Sequence, residues 1–479
     1  MTNRMQVEEP AFIVLGGGPA GLAAAYKLTR RGWRQVTVLE RGARVGGNAG
    51  SRVIDGIPVD FGSHRLHPTT SPDLLADIQS LLGADLLDRP RHGRIRLRGR
   101  WVHFPLKPLD LALRLPPSFI AGVGADAVLK RVRTHHNGGP SFASVLEQGL
   151  GRTICRDFYF PYAQKIWGVP PESLDAEQAR RRVSSGSLGK MIRRVAGALP
   201  GVRKPRGAGR FFYPKKGFGQ ISDVFHRAAE SSGARVLLDT TVTAVSVEGG
   251  QVRGVEVESD GERRMLPATY VLSTIPLTVL ARLVRSDDSS APATAAAALQ
   301  QRSMVLVYLT LDADQFTEFD AHYFPEASIR ITRLSEPKNY SLTDRPGRTV
   351  LCAELPCTLG GPEWSMSEAD LGALVCRDLE QAGLAPVPRV LSVSVERLPH
   401  AYPLYTQGYR EAFEAIDHWL GGIEGLVTFG RQGLFVHDNT HHTMAMAYAL
   451  VECIGRDGVF DRGRWAEARR GFEKNVVED

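Results

Sequence analysis

Cysteine is scarce in this sequence, and the few cysteines form no recognisable framework. The 479 residues include 5 cysteines, widely scattered and without a CxxC pair. An odd number of isolated thiols argues against a disulfide scaffold, so we interpret them as reduced and mostly structural. They do not group with histidine in the spacing of a metal site, and we expect no bound metal.

Long uninterrupted apolar runs are also missing. No stretch approaches the ~18 apolar residues of a membrane span, and the N-terminal residues lack the features of a secretory signal. A cytoplasmic location is therefore expected. Because 43% of the residues are hydrophobic and 23% are charged, the chain can build sizeable cores and shows no bias towards disorder. Its length suggests two interleaved domains.

Acidic residues are absent from one strongly basic segment. Residues 180–216 contain 12 Lys or Arg side chains and no Asp or Glu. Such a segment either stays solvated or meets an anion. Three interpretations stay open: a solvated loop, a site for an anionic substrate such as a diphosphate, with Arg193 and Arg194 as candidates, and contact with an acidic membrane surface. Nucleic acid is disfavoured, since the segment has few aromatic residues for stacking and no nucleic-acid-binding fold accompanies it.

A strand, helix and second strand are predicted near the N-terminus. Residues 11–15 (AFIVL) form a short apolar run typical of a buried parallel strand. Residues 22–28 predict a helix, and residues 36–39 (VTVL) a second strand that ends at Glu40. A carboxylate at that position can accept hydrogen bonds from the hydroxyls of a ribose.

The turn between the first strand and the helix carries Gly16, Gly18 and Gly21 in the spacing GxGxxG. In this context the glycines allow a tight turn, a close approach of the backbone to a pyrophosphate, and close packing of the helix on the sheet. The helix N-terminus offers free amides and a positive dipole end to the phosphates. The unit therefore predicts a dinucleotide site, which on these grounds alone suits NAD as well as FAD.

More specific segments follow along the chain. They are ERGARVGGN (40–48), DFGSHRLHP (60–68), FYFPYAQKIWGVPPESL (158–174), YPKKGFGQI (213–221), ARVLLDTTVTAV (234–245) and FGRQGLFVHDNTHHTM (429–444). In this order they resemble the UDP-galactopyranose mutase and protoporphyrinogen oxidase-like branch of the FAD-dependent amine oxidase superfamily. The likeness spans nearly the whole chain and implies FAD as the cofactor.

The resemblance also implies roles for individual residues. Its histidine-containing segment, its GRxG segment and the helix that follows all reach the flavin, and a strand backbone lies against the adenine. The implied FAD-contacting residues are Gly16, Gly18, Pro19, Ala20, Gly21, Glu40, Arg41, Gly47, Asn48, His64, Arg65, Val242, Gly430, Arg431, His442 and Thr443. The KxWG segment belongs to the substrate cleft in this family, which implies substrate contact for Trp167.

The sequence departs from the mutases after the GRxG segment. The mutases carry YxYxDMD there, whereas this chain has FVHDNTH, and the tyrosine of their GYxQM segment is replaced by Phe218. These losses weigh against UDP-galactose as the substrate. His437 becomes the candidate catalytic acid or base, because imidazole titrates near neutral pH and the resemblance places it over the flavin. A structural role for His437 is the alternative.

The predicted organisation is an α/β fold with a discontinuous FAD-binding domain. A glutathione-reductase-like Rossmann domain takes residues 1–70, 205–285 and 400–479. Residues 71–204 show helical patterns and predict a mainly helical lobe on the substrate side. Residues 286–399 contain strand-like runs such as MVLVYLTL and predict an antiparallel substrate-binding sheet.

Three functions stay open from the sequence. The first is an FAD-dependent oxidoreductase that transfers a hydride from a carbon of a small substrate, either anionic or sugar-containing, to flavin N5. The second is a redox-neutral isomerase of the mutase type that acts on a sugar diphosphate. The third is a binding protein without catalysis, or one that uses NAD. The oligomeric state is left undefined.

Overall fold

A five-stranded parallel sheet contains the two predicted N-terminal strands in the computed structural model, which describes residues 9–129, 140–182, 209–286 and 292–477. Strands are numbered along the chain, and in spatial order this sheet contains Leu426–Thr428 (β20), Tyr270–Ser273 (β13), Phe12–Leu15 (β1), Val36–Leu39 (β2) and Arg235–Leu237 (β9). All four neighbouring pairs are parallel. Every residue of β1 and β2 is buried, because helices or strands cover both faces.

Helix α1 (Pro19–Arg30) begins directly after the glycine turn of β1. Gly18 is its N-cap, and a proline stands in its first turn, where the missing amide hydrogen costs nothing. Ala23, Ala24 and Ala25 are completely buried. These small side chains let α1 pack closely against the helices Gln220–Ser231 and Thr440–Glu452.

Two further sheets lie beside the parallel one. A four-stranded sheet has the spatial order Glu262–Pro267 (β12), Gln251–Ser259 (β11), Thr241–Glu248 (β10) and Val284–Ser286 (β14). A seven-stranded sheet has the order Val390–Leu404 (β19), Gln300–Leu311 (β15), Thr349–Cys357 (β18), Arg333–Ser335 (β17), Ala321–Tyr323 (β16), Gly93–Leu97 (β6) and Arg100–Phe104 (β7). Two pairs complete the strands: Ser51–Ile54 (β3) with Ile57–Asp60 (β4), and Leu86–Pro90 (β5) with Arg210–Pro214 (β8).

The observed strands differ from the expected ones in two respects. Residues 86–104 fall in the range expected to be mainly helical, yet they form β5, β6 and β7. In addition, β6 pairs with β16 in parallel, so the seven-stranded sheet is mixed rather than purely antiparallel. The hairpin of β6 and β7 turns at Arg98 and Gly99, both with positive φ. Two such residues make the turn that best fits the twist of a hairpin.

The helices surround these sheets. They are numbered along the chain as Pro19–Arg30 (α1), Pro72–Leu82 (α2), Pro108–Arg114 (α3), Pro117–Leu129 (α4), Phe142–Leu150 (α5), Arg152–Ile154 (α6), Phe160–Trp167 (α7), Ala176–Arg182 (α8), Gln220–Ser231 (α9), Leu277–Leu283 (α10), Ala293–Ala298 (α11), Lys338–Ser341 (α12), Pro362–Ser365 (α13), Glu368–Gln381 (α14), Tyr409–Gly421 (α15), Gly430–Gly433 (α16), Thr440–Glu452 (α17) and Arg462–Phe472 (α18). Within the described ranges, none of them has the length and apolarity needed to cross a bilayer.

Candidate active site

The glycine turn after β1 has the geometry of a dinucleotide site. A Cβ on Gly21 would lie 2.0 Å from the carbonyl oxygen of Gly16, so only glycine lets α1 approach the turn this closely. Gly16 itself has φ +102°, a backbone conformation that other residues rarely adopt. A Cβ on Gly18, in contrast, would meet nothing within 4 Å. Open space therefore faces the N-terminus of α1.

Glu40 stands at the carboxyl end of β2, beside this turn. Its two carboxylate oxygens accept hydrogen bonds from the amides of Gly17 and Gly42, both at 2.8 Å. A carboxylate offers about four acceptor positions, so roughly two are left for ribose hydroxyls. The backbone of Thr240 donates to the carbonyl of Glu40 at 2.9 Å, which brings the start of β10, and with it Val242, next to the end of β2.

The C-terminal GRxG segment reaches the same turn. Gly430 has φ +77°, and a Cβ there would lie 3.2 Å from the Cβ of Ala20 in the first turn of α1. Residues more than 400 positions apart in the chain thus enclose one space. Helix α17 follows this segment, and in its first turns the hydroxyl of Thr443 donates to the carbonyl of Thr440 at 2.8 Å. His442 lies 3.4 Å from the carboxylate of Asp438 through Nδ1.

His64 has a fixed orientation at the edge of this space. Its Nε2 lies 3.0 Å from the carbonyl of Asn48 and 2.9 Å from that of Phe61. Since both neighbours only accept, Nε2 carries the hydrogen and Nδ1 is left as an acceptor. Burial lowers the pKa of His64, so the ring is neutral near pH 7. Phe218 stacks on it with ring centres 5.3 Å apart.

The supports of His64 come from several elements. The amide side chain of Asn48 donates to the carbonyl of His400 at 2.7 Å. Asp60 is buried and accepts from Ser51, Tyr213 and the amide of Phe218, and burial raises the pKa of this carboxyl group. This network holds Phe218 against the ring of His64.

Four arginine side chains follow one another along the adjoining cleft. We call Arg65, Arg182, Arg333 and Arg431 the guanidinium cluster. Arg65 pairs with Asp320 at 3.5 Å, and Arg333 with Glu354 at 2.7 Å. The tyrosines Tyr323 and Tyr402 lie between the guanidinium groups: Arg65 donates to the hydroxyl of Tyr323 at 3.3 Å, whereas Arg182 and Arg431 lie over the ring of Tyr402.

Two members of the guanidinium cluster have unsatisfied hydrogen-bond donors. The Nε atoms of Arg182 and Arg431 are buried and have no hydrogen-bond partner among the described residues. Neither side chain forms an ion pair with a described acidic residue, although Arg431 donates to the carbonyl of Ala401 at 3.0 Å. A buried donor without a partner is costly. The cleft therefore combines surplus positive charge with free N–H groups, a combination that suits an anionic ligand.

Two cavities lie in this region. The smaller one joins His64 to the guanidinium cluster and is lined by Asn48, Phe61, Gly62, His64, Met304, Leu306, Arg333, Glu354, Leu398, Ala401, Tyr402 and Arg431. The larger one, about 340 Å³, lies beyond Asp320 and is lined by Arg89, Pro90, Arg91, His92, Glu318, Asp320, Asn339 and Tyr340. We assign the chemistry to the smaller cavity, because only that one meets the expected cofactor residues.

His437 is enclosed by protein side chains. The side chain is fully buried, and its Nε2 lies 3.1 Å from the side-chain oxygen of Gln178. Its ring packs edge-on against Trp167 at 5.1 Å and Tyr405 at 4.9 Å. Burial, and next the charges of Arg182 and Arg431, hold the pKa of His437 well below its usual value. The pKa therefore departs from the near-neutral value expected from the sequence, whereas a role for His437 as an acid or base stays a prediction.

Other candidate residues lie at varied distances from the cleft. Trp167 is 3% exposed and packs edge-on against Tyr402 at 5.5 Å, so it supports the cleft wall from behind. Arg41 is exposed, at the outer side of the Glu40 turn. Arg193 and Arg194 lie outside the described residues.

Some residues of this cleft were not among the predicted site residues. Arg333, Glu354 and Tyr402 carry no motif, and their positions in strands gave no signal of a shared site. Arg182, in contrast, belongs to the basic segment 180–216, for which an anionic ligand was one open interpretation. One hint was available for Arg333. It stands in the short run IRITRLS, where charge alternates with apolar residues in the pattern of a strand with one polar face.

The buried state of His437 predicts a stability effect. The unfolded imidazole has a pKa of about 6.5 and the folded one titrates lower, so its contribution is complete above about pH 6.5 and is lost as the pH falls towards the folded pKa. The unfolding free energy of the wild type should fall as the pH is lowered below about 6.5. In His437→Gln we expect this slope to be smaller, by up to ~1.4 kcal/mol per pH unit. Urea denaturation between about pH 5 and 7.5 measures this, with exposed His418→Gln as the control. Equal slopes for wild type and both variants would contradict the prediction.

The chain belongs to the family of flavin containing amine oxidoreductases, whose family model matches residues 19–449. Membership confirms the resemblance, the α/β fold of the flavin amine oxidase type and the FAD cofactor. The residues fit that cofactor, since the space at Gly18, the acceptors of Glu40 and the unpaired donor of Arg431 lie in one continuous region.

Sequence identity to individual relatives is low. A Mycobacterium tuberculosis protein described as a flavin-containing monoamine oxidase is 29% identical over 277 residues, which is 55% of this chain and 56% of that protein. This chain therefore spans about half the length of that relative.

The solved structures show likeness of fold. Reduced UDP-galactopyranose mutase superposes with a TM-score of 0.80 and 19% identity, over 98% of this chain and 100% of the mutase. A protein from Exiguobacterium described as a protoporphyrinogen oxidase gives a TM-score of 0.70 and 20% identity, over 93% and 98% of the two chains.

Proposed function

We propose that this protein is an FAD-dependent oxidoreductase that removes a hydride from a carbon atom of a small anionic substrate. The guanidinium cluster beside His64 carries this proposal, because two of its four cations have neither an acidic partner nor a complete set of hydrogen bonds among the described residues. When bound, FAD supplies the hydride acceptor. We further propose that its ADP part lies in a Rossmann domain of the glutathione reductase type, built from residues 1–70, 205–285 and 400–479.

The side chains of the cleft would share three tasks. Arg182 and Arg333 would bind the anionic group and so orient the reacting carbon. Arg431 would favour the negative charge that develops on flavin reduction, because its guanidinium carries a fixed positive charge and its Nε is buried without a partner among the described residues. The unprotonated Nδ1 of His64 would accept a hydrogen bond, which fixes the position of a donor without any change in the charge of the ring.

The number of guanidinium groups in the cleft indicates which anions would bind there. A diphosphate is one anion that would use several guanidinium groups at once, since phosphate oxygens accept paired N–H donors. A carboxylate would need fewer. The proposal therefore covers small anions, with the diphosphate-bearing ones as the finer expectation.

Anaerobic reduction tests the reaction type. The purified yellow protein is mixed without oxygen or added reductant with small anions, amines and sugar phosphates, and the flavin absorbance is followed. Loss of the oxidised-flavin spectrum with one substrate is the expected result. Turnover by the dithionite-reduced protein alone, without bleaching by any substrate, would instead assign a redox-neutral isomerisation and reject the proposal.

Replacing Arg182 tests the anion site. We expect Arg182→Met to raise the substrate KM or the Kd of a substrate-like anion about 10- to 100-fold, because a charge-assisted hydrogen bond contributes ~1.5–3 kcal/mol. Arg180→Met is the matched control, since Arg180 stands on the same helix but is 57% exposed and paired with Glu177. Equal effects of the two replacements would show that position 182 has no specific role.

A further inference from the structure

Helix α4 exposes an apolar face to its surroundings. Exposed positions recur at the i, i+3, i+4 spacing of one helix face, and we call this set the apolar stripe: Pro117, Ile120, Ala121, Gly124, Ala125 and Val128. Leu113 and Leu129 extend it at the two ends, and Leu113 and Val128 are 76% and 71% exposed. Of ten exposed large hydrophobic side chains in the described residues, four lie between positions 113 and 129. Such clustering marks an interaction surface.

The opposite face of α4 is anchored to the protein. Phe119 is buried, and Val123 packs against the same core. A Cβ on Gly122 would lie 2.7 Å from the hydroxyl of Thr153, so the helix approaches α6 closely. Asp126 is the one charged residue of α4, and it accepts from the amide of Thr153 at 2.7 Å. These contacts fix the apolar stripe in an outward orientation.

Exposed arginine side chains lie on the chain segments that adjoin α4. Arg114 precedes α4, and Arg152 and Arg156 follow one another on the helical segment that packs against it. Their side chains are 56%, 58% and 68% exposed. The acidic partners Asp110, Glu147 and Asp157 are only 15%, 23% and 10% exposed. Positive charge is therefore outermost at this margin, and the compensating carboxylates are turned inward.

The length of α4 and the exposed arginines beside it together favour one binding partner for the apolar stripe. Thirteen residues make α4 roughly 20 Å long, which is too short for the ~30 Å hydrocarbon layer of a bilayer. A two-fold pairing with a second copy would bring the same exposed arginines towards each other. An acidic lipid surface instead offers apolar depth to the stripe and negative headgroups to its border.

We propose that the apolar stripe and its arginine margin dock this protein on an anionic lipid bilayer, with α4 lying in the headgroup plane. The docking is independent of the reaction proposed above, because the stripe and the flavin cleft share no residue. An apolar face alone binds a membrane weakly and reversibly, and a basic margin supplies the second contribution that stable attachment needs.

Vesicle flotation tests the docking with the full chain carrying its flavin. Vesicles of phosphatidylcholine, with and without phosphatidylglycerol, are mixed with the protein at low salt. We expect binding to the acidic vesicles, and about tenfold weaker binding for Val128→Asp. Added salt should also weaken binding, since exposed charges are screened over ~10 Å at 0.1 M. Val459→Asp is the matched control, because Val459 is 62% exposed and stands outside the stripe, between α17 and α18.

A second variant distinguishes loss of docking from loss of folding. Flavin absorbance and melting temperature show whether Val128→Asp is folded, and the double replacement Arg152→Gln with Arg156→Gln leaves the stripe itself intact while it removes two border charges. Failure of the wild-type protein to bind acidic vesicles would overturn the proposal. Equal binding to neutral and acidic vesicles would also overturn it, as would unchanged binding of both variants. A wild-type dimer that Val128→Asp converts to monomer, with no vesicle binding by either protein, would assign the stripe to self-association instead.

Discussion

Replacing Gly18 by valine is expected to give a folded protein that does not retain FAD. The position has φ −77° and ψ 176° at the N-cap of α1, an extended conformation that valine adopts readily. A Cβ there meets no protein atom within 4 Å, so the fold has room for the side chain. The pyrophosphate of the cofactor has no such room, because it must approach this backbone closely.

The expected loss of FAD affinity is at least ~100-fold, or ~2.8 kcal/mol. It is measured as the ratio of flavin to protein absorbance after purification, and as the Kd of the apoprotein for added FAD. The loss of a favourable N-cap should cost the fold only about 1 kcal/mol. A Gly18→Val protein that purifies fully yellow would show that the cofactor does not cross this turn.

Two further glycine variants separate steric exclusion of the cofactor from damage to the fold. Gly471→Val places the same side chain in open space on α18 and should retain FAD. Gly21→Val should fail differently, because its Cβ would collide with the Gly16 carbonyl and prevent the packing of α1. Loss of flavin with normal far-UV circular dichroism is thus expected for Gly18→Val alone.

The part of the site that the sequence predicted is local in the chain. The strand, glycine turn, helix and second strand at residues 12–39 follow from short-range patterns, because periodicity and turn residues act within a few positions. The proximity of Gly430 to Ala20 could not follow from such patterns. The family resemblance supplied it, because it implied that both residues contact FAD.

The arrangement of the guanidinium cluster escaped prediction because its pairings are long-range, although Arg65 and Arg431 were themselves predicted as FAD-contacting residues. The amide of Ser63 donates to Glu354 across 291 positions, and Arg65 meets Tyr323 across 258. Charged residues inside strands usually face solvent, so the strand pattern at Arg333 gives no signal that its side chain is only 15% exposed. The lowered pKa of His437 has the same origin, because burial and neighbouring arginines shift it, and neither can be read from HDNTHH alone.

The sequence pattern of β6 and β7 shows how a strand can be overlooked. The segment GRIRLRGRWVHF alternates charged and apolar residues, and its buried positions in β6 alternate with partly exposed ones. That pattern predicts a strand with one polar face. The helical patterns on either side of it led the whole range 71–204 to be assigned as mainly helical.

Glu354→Leu is expected to be among the most destabilising single replacements in the cleft. Glu354 is 4% exposed and accepts from the amide of Ser63 at 2.8 Å and from Arg333 at 2.7 Å. Its loss leaves the buried charge of Arg333 without a partner, which costs ~3–5 kcal/mol. Urea denaturation measures the change. As a control, Glu258→Leu removes a partner of exposed Arg263 and should cost ~1 kcal/mol or less.

The double replacement Glu354→Leu with Arg333→Met should recover most of the lost stability, since an apolar pair of similar volume can replace a buried ion pair at little net cost. Stability and function should then separate. The double variant removes one cation of the guanidinium cluster, so its affinity for pyrophosphate, followed by perturbation of the flavin spectrum, should fall about 10- to 100-fold below wild type. A double variant as unstable as Glu354→Leu would show that the carboxylate mainly serves Ser63 and the turn before His64. A stable double variant with unchanged pyrophosphate affinity would remove Arg333 from the anion site, and would leave Arg182 and Arg431 to account for it.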